Sequence, residues 1–171
     1  LNVRAISEIS SIPVYLNSIN PKVRTIRDFS DADRIAVPSV KISTQAVTLQ
    51  IAAEKEFGRG KHDVLDKLTV SMAPPDAHNA MMSKGTEITA NFTSPPFMYL
   101  QQRNNHAHPV LSSYTVMDGP TTFILMWTTQ KFHDANPRHH QAVLNALEEA
   151  NRYTKENPRG AAEAFIKNKK S

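Results

Sequence analysis

The chain has 171 residues, 40% of them hydrophobic, which is enough for one folded domain or slightly more and argues against disorder. It has no cysteine, which excludes disulfides, thiolate metal sites and cysteine nucleophiles, and no apolar run long enough to cross a membrane. The net charge is +4, but apart from Lys167, Lys169 and Lys170 the basic residues are scattered among acids. The sequence therefore gives no sign of a nucleic-acid surface.

Apolar runs that fit strands alternate along the chain with segments of helical spacing. The runs predict strands at residues 3–6, 12–17, 34–38, 68–72, 87–92, 110–114 and 121–128. Caps, first-turn prolines and periodicity predict one helical turn at 25–29 and helices at 43–58, 74–85 and 97–102, after 136 and after 157. The most apolar run, TTFILMWT at 121–128, is expected to be a buried strand. The alternation favours an α/β fold with a largely parallel sheet.

The stretch from Arg34 to Gly58, RIAVPSVKISTQAVTLQIAAEKEFG, predicts a strand, a turn and a helix. Ser43 has the side chain of an N-cap, and Thr44 and Gln45 follow it in the first turn. Free backbone N–H groups, the positive end of the helix dipole and three polar side chains meet there, which suits an anion or a small polar ligand. The same residues also fit a simpler explanation, in which Ser43 only caps the helix.

Four segments carry a resemblance to a known family: IAVPSVKISTQAVTLQIAAEKEFG, LTVSMAPPDAHNAMMSKGTEITANFTSPPF, VLSSYTVMDGPTTFILMWTTQKFHDANP and ALEEANRYTKENPRGAA. In this order they resemble the substrate-binding proteins of ABC importers for nitrate, sulfonates and taurine, a group related in fold to the thiamine-precursor-binding proteins. The likeness covers nearly the whole chain and rests on the succession of segments. It implies a type II periplasmic binding protein, with two α/β lobes, two crossing strands and a ligand in the cleft between lobes.

Mapped onto that family, the chain holds one lobe and part of the other. Residues 1–24 would be the end of the first lobe and, in IPVYLN, the first crossing strand. Residues 25–121 would be the second, ligand-binding lobe, with a largely parallel mixed sheet flanked by helices. Residues 122–171 would be the return strand and C-terminal helices that pack on the first lobe. Most of the first lobe would lie before Leu1, so apolar surface on the last helices is expected to be exposed or covered by a partner.

The resemblance implies ligand contacts where the second lobe faces the cleft, at a helix start and at the carboxyl ends of strands. The candidates are Ser43, Thr44, Gln45, Asn91, Thr93, Ser94, Ser10, Ser11 and Thr122. The segment around Ser94 also fits a plain tight turn, and Ser10, Ser11 and Thr122 also fit ordinary polar residues of a hinge. Many family members carry a charged residue or an aromatic-rich segment where this chain has TSPPF, so the class of ligand stays open.

Seven histidines raise the question of a metal site. His106 and His108 form an H-x-H pair, and His133, His139 and His140 flank an Asn-Pro pair. However, no H-E-x-x-H motif is present, and no carboxylate stands at a matching helical spacing. The prediction is therefore no metal and no cofactor, with a metal-binding solute receptor as an alternative.

No enzyme signature is present, neither G-x-S-x-G nor a phosphate-binding loop, and the related thiamine-pyrimidine synthases bear a cysteine-rich motif that this chain lacks. The prediction is a non-enzymatic solute-binding component of an ABC importer. Its ligand would be a small organic anion or polar molecule of the sulfonate or taurine, nitrate, carboxylate or pyrimidine class. Two alternatives stay open: a ligand-sensing effector domain of a transcription regulator with the same fold, and a binding protein that passes its ligand to a sensor.

The resemblance also implies partners and a location. Closure of the lobes around the ligand would let the protein dock on a membrane permease that an ATPase drives. The protein would work in the periplasm, or anchored by lipid outside a one-membrane bacterium, without inserting into the membrane itself. With one lobe missing, the chain is expected to bind its ligand weakly.

Overall fold

A computed structural model describes residues 2–103 and 106–169, so the cluster of lysines at the end of the sequence falls partly outside the described residues. The chain divides into two compact units. The sheet unit runs from Ser11 to Phe123, and the ribbon unit contains the residues up to Ser10 and those from Ile124 onward.

Strands and helices follow one another much as the sequence predicts. The strands are β1 (Val3–Ser10), β2 (Tyr15–Ser18), β3 (Ile35–Val37), β4 (Thr69–Ser71), β5 (Ala90–Thr93), β6 (His108–Ser112) and β7 (Ile124–Thr129). The helices are α1 (Thr44–Phe57), α2 (Pro74–Met82), α3 (Phe97–Gln102), α4 (Ser113–Val116), α5 (Gln130–Ala135), α6 (Pro137–Glu156) and α7 (Pro158–Lys169), with 3₁₀ turns at Ile26–Asp28 and Asp66–Leu68.

The sheet unit contains a five-stranded mixed sheet with the strand order β4-β3-β5-β2-β6. β3 is parallel to β4 and β5, whereas β2 is antiparallel to β5 and β6. Four strands therefore run in one direction, and β2 alone runs in the other. This arrangement confirms the predicted α/β class with a largely parallel, mixed sheet flanked by helices.

The common direction of β3, β4, β5 and β6 makes them end at one edge of the sheet, which we call the carboxyl edge. The next helix along the chain follows each of these strand ends. Helices α1, α2, α3 and α4 therefore all start on the side of the carboxyl edge. Because β2 runs the opposite way, it begins at this edge.

Two apolar clusters hold the helices against the two faces of the sheet. On one face Leu49 of α1 packs with Leu16, Ile35 and Phe92, all at most 1% exposed. Burial of a side chain the size of leucine or phenylalanine contributes about 2 kcal/mol. On the other face α2 packs on the sheet in a smaller cluster that includes Met81, and α3 lies against α2, β2 and β5. Alternation along β5 sends Phe92 to the first face and its neighbours Asn91 and Thr93 to the second.

Several predicted strands have different bounds in the structure, and strand pairing explains two of these differences. The predicted strand at 110–114 ends at Ser112, and α4 begins at Ser113. The reason is that Ser112 pairs with Tyr15, the first residue of β2, so the ladder offers no partner beyond it. The predicted strand at 87–92 starts only at Ala90, because that residue is the first of β5 to pair with β3.

The segment 12–17, in which the first crossing strand was predicted, contains β2. This strand lies inside the five-stranded sheet, between β5 and β6. The partner of β7 is β1. The division into lobes at 1–24, 25–121 and 122–171 stays a prediction.

The ribbon unit consists of the antiparallel pair β1–β7 and the helices α5, α6 and α7. The expectation of a buried strand at 121–128 is wrong, since Ile124, Leu125 and Trp127 of β7 are 46%, 49% and 58% exposed. Two strands cannot cover each other's faces, and no described residue of this unit is buried. None of the described helices combines the length and the apolar composition that crossing a bilayer requires.

A buried carboxylate organises the edge opposite the helix starts. Asp33, which precedes β3, is 1% exposed and accepts hydrogen bonds from the Asn20 amide (2.9 Å), the Thr89 hydroxyl (2.9 Å), the Ser30 hydroxyl (3.1 Å) and the Ser30 backbone N–H (3.0 Å). Burial raises the pKa of Asp33, but the hydrogen bonds from Asn20, Ser30 and Thr89 outweigh it, so the pKa lies below its ordinary value of 3.8.

The substitution Asp33→Asn should lower the free energy of unfolding at pH 7 by about 2 kcal/mol, because an amide nitrogen would then face hydrogen-bond donors. The wild-type carboxylate stabilises the fold above its ordinary pKa of 3.8, and that stabilisation is lost as the pH falls through the lower folded-state value. The difference between the two proteins should therefore shrink below pH 3.8. Urea unfolding at pH 7 and at pH 3 measures both effects.

Asp31→Asn is the matched control, because that carboxylate is 82% exposed and only pairs with Lys67. It should change the unfolding free energy little. An Asp33→Asn protein as stable as the wild type at pH 7 would contradict the described network.

Candidate functional site

The topology places the two main groups of predicted site residues on neighbouring segments at the carboxyl edge. Ser43, Thr44 and Gln45 lie at the start of α1, which follows β3. Asn91, Thr93 and Ser94 lie at the end of β5 or directly after it. β3 and β5 are adjacent, with Ala36 opposite Asn91, so the segments that leave these strands start side by side.

Ser43 is the N-cap of α1, as predicted. Its hydroxyl accepts a hydrogen bond from the Ala46 backbone N–H (3.2 Å) and donates one to the Ser39 carbonyl (2.7 Å). Both bonds are local, so the capping explanation accounts for this side chain. Thr44 is exposed, Gln45 is 5% exposed, and their backbone N–H groups have no partner inside the helix. A ligand at the start of α1 would therefore meet backbone N–H groups and the positive end of the helix dipole, whereas the Ser43 hydroxyl is already used in the cap.

The loop before α1 contains a residue that the sequence reasoning missed. Lys41 has a φ of 67°, in the left-handed region that a non-glycine residue seldom adopts. A hydrogen bond from the Val40 N–H to the Ser71 hydroxyl (3.0 Å) ties this loop to the end of β4. Lys41 therefore lies in the loop at the carboxyl edge, two residues before Ser43. The sequence offered one signal for Lys41, namely its place in the loop next to the predicted N-cap.

Asn91 and Thr93 are the most unusual of the predicted residues. Each is 1% exposed, yet the Asn91 Nδ2 and the Thr93 Oγ1 have no hydrogen-bond partner in the described part of the chain. Buried polar atoms are nearly always paired, because leaving one unpaired costs about 1–3 kcal/mol. Two such atoms on one strand end indicate a partner that the described residues do not supply.

Ser94 starts the turn between β5 and α3. Its backbone carbonyl accepts a hydrogen bond from the Met98 N–H (3.2 Å), and the following Pro95–Pro96 peptide bond is cis. The structure thus shows the tight turn that was the alternative for this residue. Ser94 is half-buried at the carboxyl edge, next to Thr93.

The three weaker candidates fall in both units. Within the sheet unit, the Ser11 hydroxyl donates to the Thr121 carbonyl (2.9 Å) and lies 3.0 Å from the Tyr114 hydroxyl, and Thr122 is exposed. Ser10 belongs to the ribbon unit, where it pairs with Ile124. The bonds of Ser11 join the start and the end of the sheet unit, which fits the structural alternative for that residue.

The histidines do not gather into a larger cluster. Among residues 2–103 and 106–169 no group of three or more His, Asp or Glu side chains is placed to hold a metal ion. The His108 ring nitrogen bonds the Val23 carbonyl (2.6 Å). The His133 ring lies 4.6 Å from that of His140 and bonds Asp134 (2.9 Å). That hydrogen bond and one from Gln130 lower the pKa of Asp134.

One surface groove lies away from the predicted residues. It has a volume of about 230 Å³ and is lined by residues such as Lys55, Leu111 and Val116. Lys55 stands near the end of α1, whereas the predicted residues stand at its start. This groove therefore has no part in the candidate site.

No protein-family model and no curated protein matches the sequence, but solved structures match the fold. The periplasmic aliphatic sulfonate-binding protein SsuA from Escherichia coli aligns with a TM-score of 0.71 at 14% identity, over 97% of this chain and 54% of that one. The alkanesulfonate-binding protein SsuA from Xanthomonas axonopodis pv. citri, bound to MOPS, gives the same values. A Candida albicans gene product, described as defining a new family with the generic periplasmic binding protein fold, gives 0.68 at 15% identity, over 98% and 53%.

These likenesses show that the chain has the fold of the periplasmic binding proteins, which confirms the fold expected from the resemblance. The sulfonate-binding proteins named in that resemblance are among the matching structures. The chain spans about half the length of the proteins it matches.

The capping geometry of Ser43 predicts a measurable loss of stability. Ser43→Ala should lower the free energy of unfolding by about 1 kcal/mol, because the Ala46 N–H loses its acceptor. Ser43→Asn should retain most of the stability, since its amide oxygen can cap the helix. Thr44→Ala, at the exposed neighbouring position, is the control and should change little. Urea unfolding of the three variants measures the effect, and a Ser43→Ala variant as stable as wild type would refute the cap.

Proposed function

We propose that this chain is the ligand-binding part of a solute-binding protein of an ABC importer, in the group for nitrate, sulfonates and taurine. It binds a small organic anion or polar molecule at the carboxyl edge of the sheet unit, between the start of α1 and the end of β5. The observation that carries the proposal is the pair of buried, unpartnered atoms on Asn91 and Thr93 at that edge of a periplasmic binding protein fold.

The polarity of the edge favours an anionic or acceptor-rich ligand. The free N–H groups of α1 carry a partial positive charge, and Lys41 stands in the loop beside them. The Asn91 amide nitrogen can only donate a hydrogen bond, and the Thr93 hydroxyl can do so. A ligand oxygen placed there would satisfy donors that are unpaired in the protein alone, which makes the contact worth more than one that replaces an existing bond.

The matching proteins supply the wider role that we infer. The protein acts outside the cytoplasm, in the periplasm or held by a lipid anchor, and catalyses nothing. A second lobe closes over the ligand, and the closed form docks on a membrane permease served by an ATPase. Because the chain spans about half the length of its structural neighbours, we expect it to bind its ligand weakly by itself.

Thr93→Val separates ligand binding from folding. The Thr93 hydroxyl has no partner in the described protein, so its removal should leave the melting temperature without ligand unchanged or slightly higher. The affinity for the ligand should fall about tenfold, as expected for the loss of one hydrogen bond. The measurement is the melting temperature against millimolar methanesulfonate, taurine, nitrate, acetate, uracil, zinc and nickel, since a ligand that binds only the folded state raises it.

Thr48→Val is the matched control, because Thr48 is also 1% exposed and its hydroxyl bonds only the Thr44 carbonyl within α1. It should leave the response to ligand unchanged. A rise with one class of non-metal ligand that Thr93→Val weakens supports the proposal and identifies the class. A rise with metal alone, or one indifferent to Thr93→Val, contradicts the site.

A further inference from the structure

Two more buried polar atoms have no hydrogen-bond partner in the described chain. They are the Gln101 Nε2 and the His78 Nδ1, in addition to the Asn91 Nδ2 and the Thr93 Oγ1. His78 of α2 stands beside the ring of Phe97, at a centroid distance of 5.6 Å. Gln101 lies in the last turn of α3 and is 0% exposed. The sequence patterns did not single out Gln101 as a site residue.

Asn17 of β2 sets the orientation of Gln101. The Asn17 Nδ2 donates to the Met98 carbonyl (2.9 Å) and to the Gln101 Oε1 (3.0 Å), and the Asn17 Oδ1 accepts from the Gln102 Nε2 (2.9 Å). Because a backbone carbonyl can only accept, the nitrogen of Asn17 must face Met98. The oxygen of Gln101 must then face Asn17, which turns its Nε2 elsewhere with both hydrogens unused. Asn17 is therefore a positioning residue for Gln101.

Strand pairing brings the unpaired donors into one neighbourhood. Asn17 lies opposite Asn91, and Tyr15 lies opposite Thr93, in the antiparallel pair of β2 and β5. Directly opposite residues have neighbouring side chains on the same face of a sheet. Asn91 and Gln101 thus both flank Asn17, and Thr93 stands two residues nearer the carboxyl edge. We call Thr93, Asn91 and Gln101 the donor row.

The chemistry of the donor row selects one kind of group. Two of its atoms are amide nitrogens that only donate, and the third is a hydroxyl that can donate. None of its three residues carries a charge. A group of acceptor oxygens satisfies such a set, whereas an ammonium group, which only donates, does not.

We propose that the donor row is the inner part of the ligand site and receives an oxyanion group of the ligand, with Gln101 as a residue that determines specificity. This inference rests on the proposed function, because it assigns the ligand of the same edge. The row lies on the face of the sheet that α2 and α3 cover, with Thr93 at the carboxyl edge. Asn17 acts through Gln101 and does not touch the ligand.

The first test uses the wild-type chain labelled with ¹⁵N. Side-chain NH₂ resonances of Gln101 and Asn91 are followed by NMR during titration with methanesulfonate, acetate or nitrate, and with trimethylammonium chloride as the cationic control. Both resonances should shift with at least one oxyanion and stay in place with trimethylammonium. No substitution is involved, so a failure to fold cannot obscure the result.

The second test changes the charge at one atom. Gln101→Glu keeps the oxygen that accepts from Asn17 but replaces the free donor by an acceptor. It should abolish the response to the oxyanion, while the apolar Gln101→Met should weaken binding about tenfold. Because a buried charge also destabilises the fold, the melting temperature of each variant without ligand is recorded beside the titration, and a lost response supports the inference only in a variant that is folded. Gln141→Met, an exposed position on α6 whose amide bonds Asn145, is the control and should bind as the wild type does.

Two results overturn the inference in distinguishable ways. Oxyanion-induced shifts at Asn91 and at the backbone of residues 44 and 45 without any at Gln101 would leave the proposed function intact and show that Gln101 has no part in the ligand site. No shift at any of these places with any of the three oxyanions would overturn both the donor row and the oxyanion site at this edge.

Discussion

Every helix of the sheet unit starts where it does because four strands of its sheet run the same way. A strand that ends at the carboxyl edge must continue into a segment that begins there, and in this protein those segments lead into α1, α2, α3 and α4. The edge therefore collects helix starts, with their free N–H groups, beside the ends of strands. β2 satisfies the hydrogen bonds of β5 and β6 from the opposite direction, and the Asn17 side chain on β2 ties α3 to the sheet.

β5 contributes side chains both to the apolar core and to the candidate site. Phe92 fills the cluster under α1, while Asn91 and Thr93 point to the face under α2 and α3. The apolar burial on one face holds in place polar atoms on the other that have no partner in the described protein. A rigid strand between two packed layers is a suitable support for a ligand contact, because its side chains cannot turn away to find other partners.

Fold and function are separate questions for this chain. The matching structures include sulfonate-binding proteins of two bacteria and a Candida albicans gene product, all with identities of 14% or 15%. A shared fold at that distance defines the architecture, whereas the ligand depends on individual side chains. In the proposed site those side chains are the neutral donors of Asn91 and Thr93, near a helix start and one lysine, which is why the proposed ligand is defined by its acceptor oxygens.

The exposure of apolar residues in the ribbon unit depends on what packs against them. Its helices have the apolar residues that the sequence suggests should be covered, and Val143, Phe165 and Ile166 are 38%, 60% and 54% exposed. Exposed apolar surface on the last helices is what the resemblance led us to expect. That a partner covers this surface stays a prediction.

Local signals determined a large part of this protein. The Ser43 cap, the prolines that open α2, α6 and α7, and the strand alternation are properties of neighbouring residues, so the sequence alone predicts them. Only the tertiary structure decided where β6 ends, that β7 is exposed, and that Gln101 turns a free amide inward. These features depend on partners far along the chain: Tyr15 for β6, β1 for β7, and Asn17 for Gln101. No periodicity records such pairings, because hydrogen bonds between distant segments leave no pattern in the residues next to them.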